Sequence, residues 1–485
     1  MLLVLCMLST LFAACGEKPR GPEPGTPTSP TGTEPGAEEK EYVLEVFDWS
    51  KREVSLLVNH NPSSVWGDID FTSKEEDAGE PVNDAGYRRN LEIEEMFNIK
   101  LVIKPVNRDG HTTAIRTSVM AGDGAYDITF NTPRENHALM GEGHLLNLFD
   151  IDSVDLKAPF YDQNAVKGFS IANKLYMVTG NYGIMYLMSV SSITFNKQLV
   201  RDYGLTSPYK FLEDNTWTID NMVKLCKDYM GNIDNGDLPF GSINRAYGMV
   251  GFRDTLPLTV LGSGIPFVTK NTDDIPAVTF WSERTVDAFE KITDLLYDRN
   301  MFFNWQKDAP TASGAYARAI FEDNRALFYW GELQGLGNLR NMDGDFGIMP
   351  VPKYDSNQVS YSHSINPWVA MTMALPVRPD GDIEKIGAIV NAISKLGKDY
   401  LLPAYYEKTL TGKLSRDDES EVSIDIIVNN VNYDLGFIFN WGNIGNFMLS
   451  MVDARNKDLA SAFAAIENTV NLQMEATVDK VLNLD

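Results

Sequence analysis

GYRRNLEIEEMFNIKLVIKPV, residues 86–106, sets two periodicities back to back. From Tyr87 to Phe97 the apolar residues Leu91, Ile93, Met96 and Phe97 are spread among charges as on a helix, whereas from Ile99 to Val106 apolar residues alternate with Lys100 and Lys104 as on a strand. Upstream, VSLLVN (54–59) is a short apolar run bounded by polar residues; downstream, YDITF (126–130) is another, and both predict strands. Strand, helix, strand, helix, strand in that order predicts an α/β fold, a parallel sheet with helices on its faces.

Three later stripes extend the helical inventory. Val286, Phe289, Ile292 and Leu295 recur at helical spacing, as do Ile383, Ile386, Val390, Ile393 and Leu396, and then Leu459, Phe463, Ile466, Val470, Met474, Val478 and Val481. These are core faces. Trp217 in NTWTIDNM stands just before another helix, capped by Thr218 with Asn221 nearby, and is read as structural.

The chain opens MLLVLCMLSTLFAAC, an uncharged run shorter than the roughly 20 apolar residues that a membrane span needs, so residues 1–15 are expected to be an export signal. Ala13 and Ala14 supply the small residues of a cleavage site, and Cys15 after them resembles the lipidated cysteine of a bacterial lipoprotein, although Phe12 replaces the usual Leu and no Lys or Arg precedes the run. Residues 16–41 follow with Pro19, Pro22, Pro24, Pro27, Pro30 and Pro35 among Gly, Thr, Ser and Glu. Such a segment cannot bury enough apolar surface to fold, and Pro makes it a semi-rigid spacer. A tethered extracytoplasmic body is the expectation.

The body of roughly 440 residues exceeds what one core usually organises, so two domains are expected. Of the three cysteines, Cys6 and Cys15 fall in the signal and Cys226 is left alone, which excludes a disulfide framework or a thiolate metal site. A net charge of −25 argues against nucleic acid as a partner, which would need a basic face. The phosphate loop, H-E-x-x-H, G-x-S-x-G and C-x-x-C signatures are all missing. His60, His111, His137, His144 and His363 show no metal-ligand spacing, and no metal or cofactor is expected. A pair of distant carboxylates, as in glycosidases, would leave no such signature, so a surface glycan-degrading enzyme stays open as an alternative.

Six segments taken in order, GYRRNLEIEEMFNIKL, MAGDGAYDITF, ITFNKQLVRDYGL with NTWTIDNMVKL, IFEDNRALFYWGEL, FGIMPVPKYD, and YYEKTLTGKLSRDDESEVSIDIIVNNVNYDLGFIFNWG, together resemble the family 1 bacterial extracellular solute-binding proteins. The resemblance implies a two-lobed, type II periplasmic-binding fold, each lobe a mainly parallel sheet flanked by helices, with a ligand cleft between them. It implies crossings near Ser191, near Ile365 and near Gly412, so that 42–190 with 365–412 form one lobe and 191–364 with 413–485 the other. It also implies a carbohydrate ligand, an ABC permease as partner, a monomer anchored by lipid outside the cytoplasmic membrane, and no catalysis. Peptides or a signalling partner are the other candidates.

In parallel sheets, sites lie beyond the carboxyl ends of strands. With the resemblance, that rule places Asn131, Thr132 and Arg134 at the cleft, and His60, Trp66 and Asp68 from the loop NHNPSSVWGDID. Sugars need flat aromatic faces and planar hydrogen-bonding groups. Trp330 and Glu332 in ALFYWGEL, and Asn440, Trp441 and Asn443 in GFIFNWGNIGN, are the residues expected to supply them, with Tyr182, Ser362 and His363 near the crossings as lesser candidates.

Overall fold

The computed structural model describes residues 42–60, 71, 80–339, 342–379, 381–410 and 418–484. Cys15, the 16–41 spacer, Trp66, Asp68 and the crossing expected near Gly412 lie outside them. The fold is two-lobed, and each lobe is organised on one mixed sheet.

The first sheet is built around β1 (Arg52–His60), whose Val54, Leu56, Leu57 and Val58 are all fully buried. A run of apolar residues without alternation is what a strand covered on both faces requires. Parallel to it lie β2 (Ile99–Asn107) on one side and β3 (Ile128–Asn131) on the other, and β12 (Thr372–Ala374) closes the order β12-β3-β1-β2 antiparallel to β3. β2 is an edge strand, the position in a sheet that tolerates a proline such as Pro105. The connecting helix runs Pro81–Phe97 and so starts six residues before the expected Tyr87. Pro81 occupies the first turn, and the Glu80 side chain accepts from Asn83 N at 3.3 Å, so capping chemistry rather than periodicity sets the start. Its buried face is Val82, Ala85, Arg89, Ile93 and Phe97, and Leu91 falls on the outside.

Asp127 ties this lobe together at the start of β3. Its carboxylate accepts from Ser55 N at 2.6 Å and from Arg52 Nη2 at 3.1 Å, and pairs with the buried Arg378.

The second sheet has the order β10-β4-β9-β5-β8, formed by β4 (Ser191–Asn196), β5 (Tyr247–Gly251), β8 (Phe302–Asn304), β9 (Ala326–Glu332) and β10 (Phe346–Met349). Only β4 runs against the others. Smaller pairings complete the strands: the hairpin β6 (Val268–Lys270) with β7 (Pro276–Val278), and β11 (His363–Ser364) parallel to β13 (Val431–Asn432). The segment entering β4 and the one leaving β11 for the first sheet run side by side. Val190 bridges Ile365, and Asn366 N donates to Ser189 O at 2.9 Å.

Trp217 is fully buried and its indole donates to Pro350 O at 2.8 Å, while Thr218 caps the helix Ile219–Met230. The last apolar stripe is split, not continuous: helices Leu459–Ala464 and Glu467–Asn483 meet at a turn through Ala465 and Ile466.

Candidate functional site

In the second sheet the parallel strands β5, β8 and β9 all end at one place. Phe252–Asp254 follow β5, Trp305 and Gln306 follow β8, and Glu332 with Gln334 close β9. Asn366, Trp368 and Val369, on the way to β12 of the first sheet, face them. Together they line a pocket of about 500 Å³, a volume suited to a small solute.

Trp368 is 37 % exposed and is held from the first lobe. The Arg134 guanidinium stands 4.1 Å from its ring centre and that of Arg108 5.0 Å. Both arginines follow strands of the first sheet, and Arg108 is fixed by Glu135 at 2.6 Å. Arg134 Nη2 donates to Phe437 O at 3.1 Å and to Asn446 Oδ1 at 3.4 Å, so the same side chain reaches the carboxyl-terminal segment. Desolvation lowers its pKa to about 10, against the pull of Glu135 and Asp254.

Two carboxylates face the pocket, each 7 % exposed. Asn366 Nδ2 donates to Glu332 Oε1 at 2.7 Å, and Gln334 Nε2 to Oε2 at 3.1 Å. Burial pushes the Glu332 carboxyl up to about 8; the Asn366 hydrogen bond pulls it back, and the charge of Asp254 adds to the rise. Burial raises Asp254 as well, with Arg253 and Arg134 opposing.

The residues expected at a cleft are distributed unevenly. Glu332 lines the pocket, and Arg134 stands behind Trp368. Trp330 is 1 % exposed and packs beneath Gly251, where a Cβ would sit 3.1 Å from its own Cβ. Trp441 is 2 % exposed, its indole donating to Thr477 Oγ1 at 2.8 Å and its ring edge-on to Phe439. Asn440 shapes the turn, with φ 60° and its Oδ1 accepting from Gly445 N; Asn443, φ 71°, is exposed. Asn131 is fully buried, its amide spent on Asn59, Thr132 N and His111. Thr132 is buried at the start of the helix Pro133–Gly141. Tyr182 is buried with its hydroxyl on Met371 O at 2.7 Å, and His363 with its Nδ1 on Ser191 O at 3.0 Å. His60 ends β1, half-buried.

Ser362 lines a different cavity, of about 530 Å³, with Lys167, Lys270, Ser360, Asn430 and Asn432. It lies at the far end of the helix Thr255–Gly262, whose start is next to Asp254: Gly262 O accepts from Gln358 Nε2 at 2.9 Å there.

Asp254, Arg253, Trp305, Asn366 and Trp368 were not anticipated from sequence. The signal for the first three was the strand-end rule, which needs β5 and β8 to be recognised first; these have only 5 and 3 residues. Among the described residues no group of three or more His, Cys, Asp or Glu could hold a metal ion, and no helix is long and apolar enough to cross a membrane.

A family profile described as bacterial extracellular solute-binding protein matches residues 79–377. No curated protein matches the chain in sequence. Among solved structures, an ABC substrate-binding protein of Listeria monocytogenes in complex with cycloalternan is 14 % identical, with a TM-score of 0.55 over 88 % of this chain and 99 % of its own. The cyclic α-maltosyl-1,6-maltose binding protein of Arthrobacter globiformis is 13 % identical, TM-score 0.56, over 88 % and 99 %. UgpB of Mycobacterium tuberculosis in complex with glycerophosphocholine is 13 % identical, TM-score 0.57, over 83 % and 98 %. At such identities the likeness is one of fold.

Proposed function

Because the chain belongs to the bacterial extracellular solute-binding proteins, we propose that it is a receptor that captures a sugar or oligosaccharide and delivers it to an ABC permease, without chemistry of its own. The observation that carries this reading is the pocket where strand ends of the second lobe meet Trp368, an aromatic face held in place by arginines of the first lobe. An indole covers the C–H side of a pyranose, and the carboxylates and amides of Glu332, Asp254, Asn366 and Gln306 select its hydroxyls. Trp330 and Trp441 then serve as supports beneath the binding surfaces. The proposed lobes are 42–190 with 365–412 and 191–364 with 413–485; the paired crossings at Val190 and Ile365 form part of the hinge. Lipidation at Cys15 and the spacer after it would hold a monomeric body outside the cytoplasmic membrane. Sugar ligands in the Listeria and Arthrobacter proteins support the substrate class.

A thermal-shift screen against mono- and oligosaccharides, with short peptides as controls, tests the proposal. A ligand specific to the folded state adds about 2.7 kcal/mol at a hundredfold excess over its Kd. A response to peptides alone would overturn the sugar class. Asp254 and Glu332 also give the glycan-degrading alternative a carboxylate pair to stand on; release of nitrophenol from nitrophenyl glycosides by the purified protein would favour it.

A further inference from the structure

Cations and anions around this pocket are compensated differently. Each arginine has its partner elsewhere: Arg253 Nη1 lies 3.1 Å from Asp453 Oδ2, Arg318 Nε lies 3.5 Å from Glu322 Oε1, Arg108 is paired with Glu135, and Arg134 is bonded to Phe437 O and Asn446. The carboxylates have no such partner. Glu332 receives one neutral amide on each oxygen, from Asn366 and Gln334. Asp254 stands where a helix cap would, yet its backbone is already helical (φ −68°, ψ −11°) and its side chain does not cap. Among the described residues no other residue hydrogen-bonds or ion-pairs with its carboxylate, although the side chain is more than nine-tenths buried and faces the pocket. A buried carboxylate with no direct ion pair is costly to ionise, even with Arg253 and Arg134 acting on Asp254 from longer range, and here two such groups share one cavity.

The aromatic surfaces divide in the same way. Trp368 already carries two guanidiniums over its ring. Phe252 and Trp305, with ring centres 6.3 Å apart, also line the pocket, and no described cation lies over either. Aromatic rings that line a pocket beside a carboxylate pair and carry no cation of their own suit an ammonium group.

We propose that the solute this pocket takes carries a positively charged amine, received by Asp254 and Glu332 against the Phe252–Trp305 wall, while its ring rests on Trp368. The inference rests on the sugar-receptor reading and narrows it to amino sugars or oligosaccharides containing them. Glu332, held up near 8 by its surroundings, is largely protonated in the free protein at neutral pH. An incoming ammonium ionises it, so binding releases protons; the carboxylate of Asp254 is the charged neighbour that adds to its rise, and Arg134, Arg253 and Arg318 around the pocket keep their charge throughout.

The test is calorimetric titration of the purified protein with matched pairs: glucose against glucosamine, and cellobiose against the disaccharide of glucosamine, with N-acetylglucosamine as a size control and spermidine as an amine without a sugar ring. Each titration is run in two buffers of different ionisation enthalpy. The amine-bearing member of a pair is expected to bind about tenfold tighter or more, as charge-assisted hydrogen bonds allow, with a heat that depends on the buffer. Asp254→Asn should reduce that preference to less than about twofold while the variant keeps its thermal midpoint. Neutral sugars binding as tightly as their amine partners would overturn the inference and leave the receptor reading standing. Spermidine binding where no saccharide does would keep the carboxylate subsite and overturn the sugar class. An amine preference that survives in Asp254→Asn, or a panel in which no amine is preferred, overturns the inference.

Discussion

The helix Thr255–Gly262 has a cavity at each end, and the two are nearly equal in size, about 500 Å³ beside Asp254 and about 530 Å³ beside Ser362. Their chemistry differs. At the far end Lys270 is bonded to Ser170 O and paired with Asp274 at 2.6 Å, and Tyr433 donates to Asp162 at 2.6 Å; no tryptophan contributes. Beside Asp254 the walls hold tryptophans, two carboxylates that make no direct ion pair, and Arg253 and Arg318, which are paired elsewhere. Volume alone does not mark a binding site. What marks it is polar capacity left over after the protein has satisfied itself, next to apolar faces that a ligand can cover.

The largest effect that would sharpen this contrast comes from below the first cavity. Trp330→Ala removes a fully buried indole and should cost about 3–5 kcal/mol in denaturant unfolding; unchanged stability would put that ring on the cavity wall instead. Trp368→Ala, at a partly exposed ring, should leave stability within about 1 kcal/mol yet weaken the ligand found in the screen by more than about tenfold. Unaltered affinity would break the assignment of this cavity.

Glu332 gives a prediction in pH. Its folded pKa, near 8, lies above the usual carboxylate range, so between about pH 4.5 and 8 the folded state binds more protons than the unfolded one. Stability of the unliganded protein is therefore greatest below that window and falls as pH rises through it, by at most about 1.4 kcal/mol per unit from this group. Glu332→Gln should flatten the slope, read as thermal midpoint against pH. An equal slope in the variant would assign the dependence elsewhere. The smallest effect is expected at the other end of the helix: Asn432→Ala, at an exposed position, should change stability by less than about 0.5 kcal/mol and affinity by less than twofold. Loss of binding there would exchange the roles of the two cavities.

Much of the first sheet was legible in the sequence because β1 is a bounded apolar run, β2 is long enough to show alternation, and Asp127 follows a glycine turn. The start of the helix Pro81–Phe97 was not, since Pro, Asn, Asp and Gly there carry no apolar stripe and capping decides. Glu332 was legible as the residue ending a recognisable strand. Asp254 and Trp305 follow strands too short to announce themselves, and Trp368 lies in no strand at all. The aromatic residues that stand out in sequence, Trp330 and Trp441, lie one layer below the surface. A strand sends alternate side chains to opposite faces, and a stretch of sequence does not say which of those faces is open.

Asn366 joins two things that are usually considered apart. Its side chain holds Glu332 in the pocket, and its main-chain N–H holds Ser189 in the neighbouring segment that enters β4. A solute that competes for Glu332 Oε1 bears directly on Asn366, which is a single hydrogen bond from Ser189 in the segment entering β4, where the hinge is proposed. If the lobes turn there as proposed, occupancy would reach the joint through a relay only two hydrogen bonds long, and the stiffness of the joint would report on what the pocket contains.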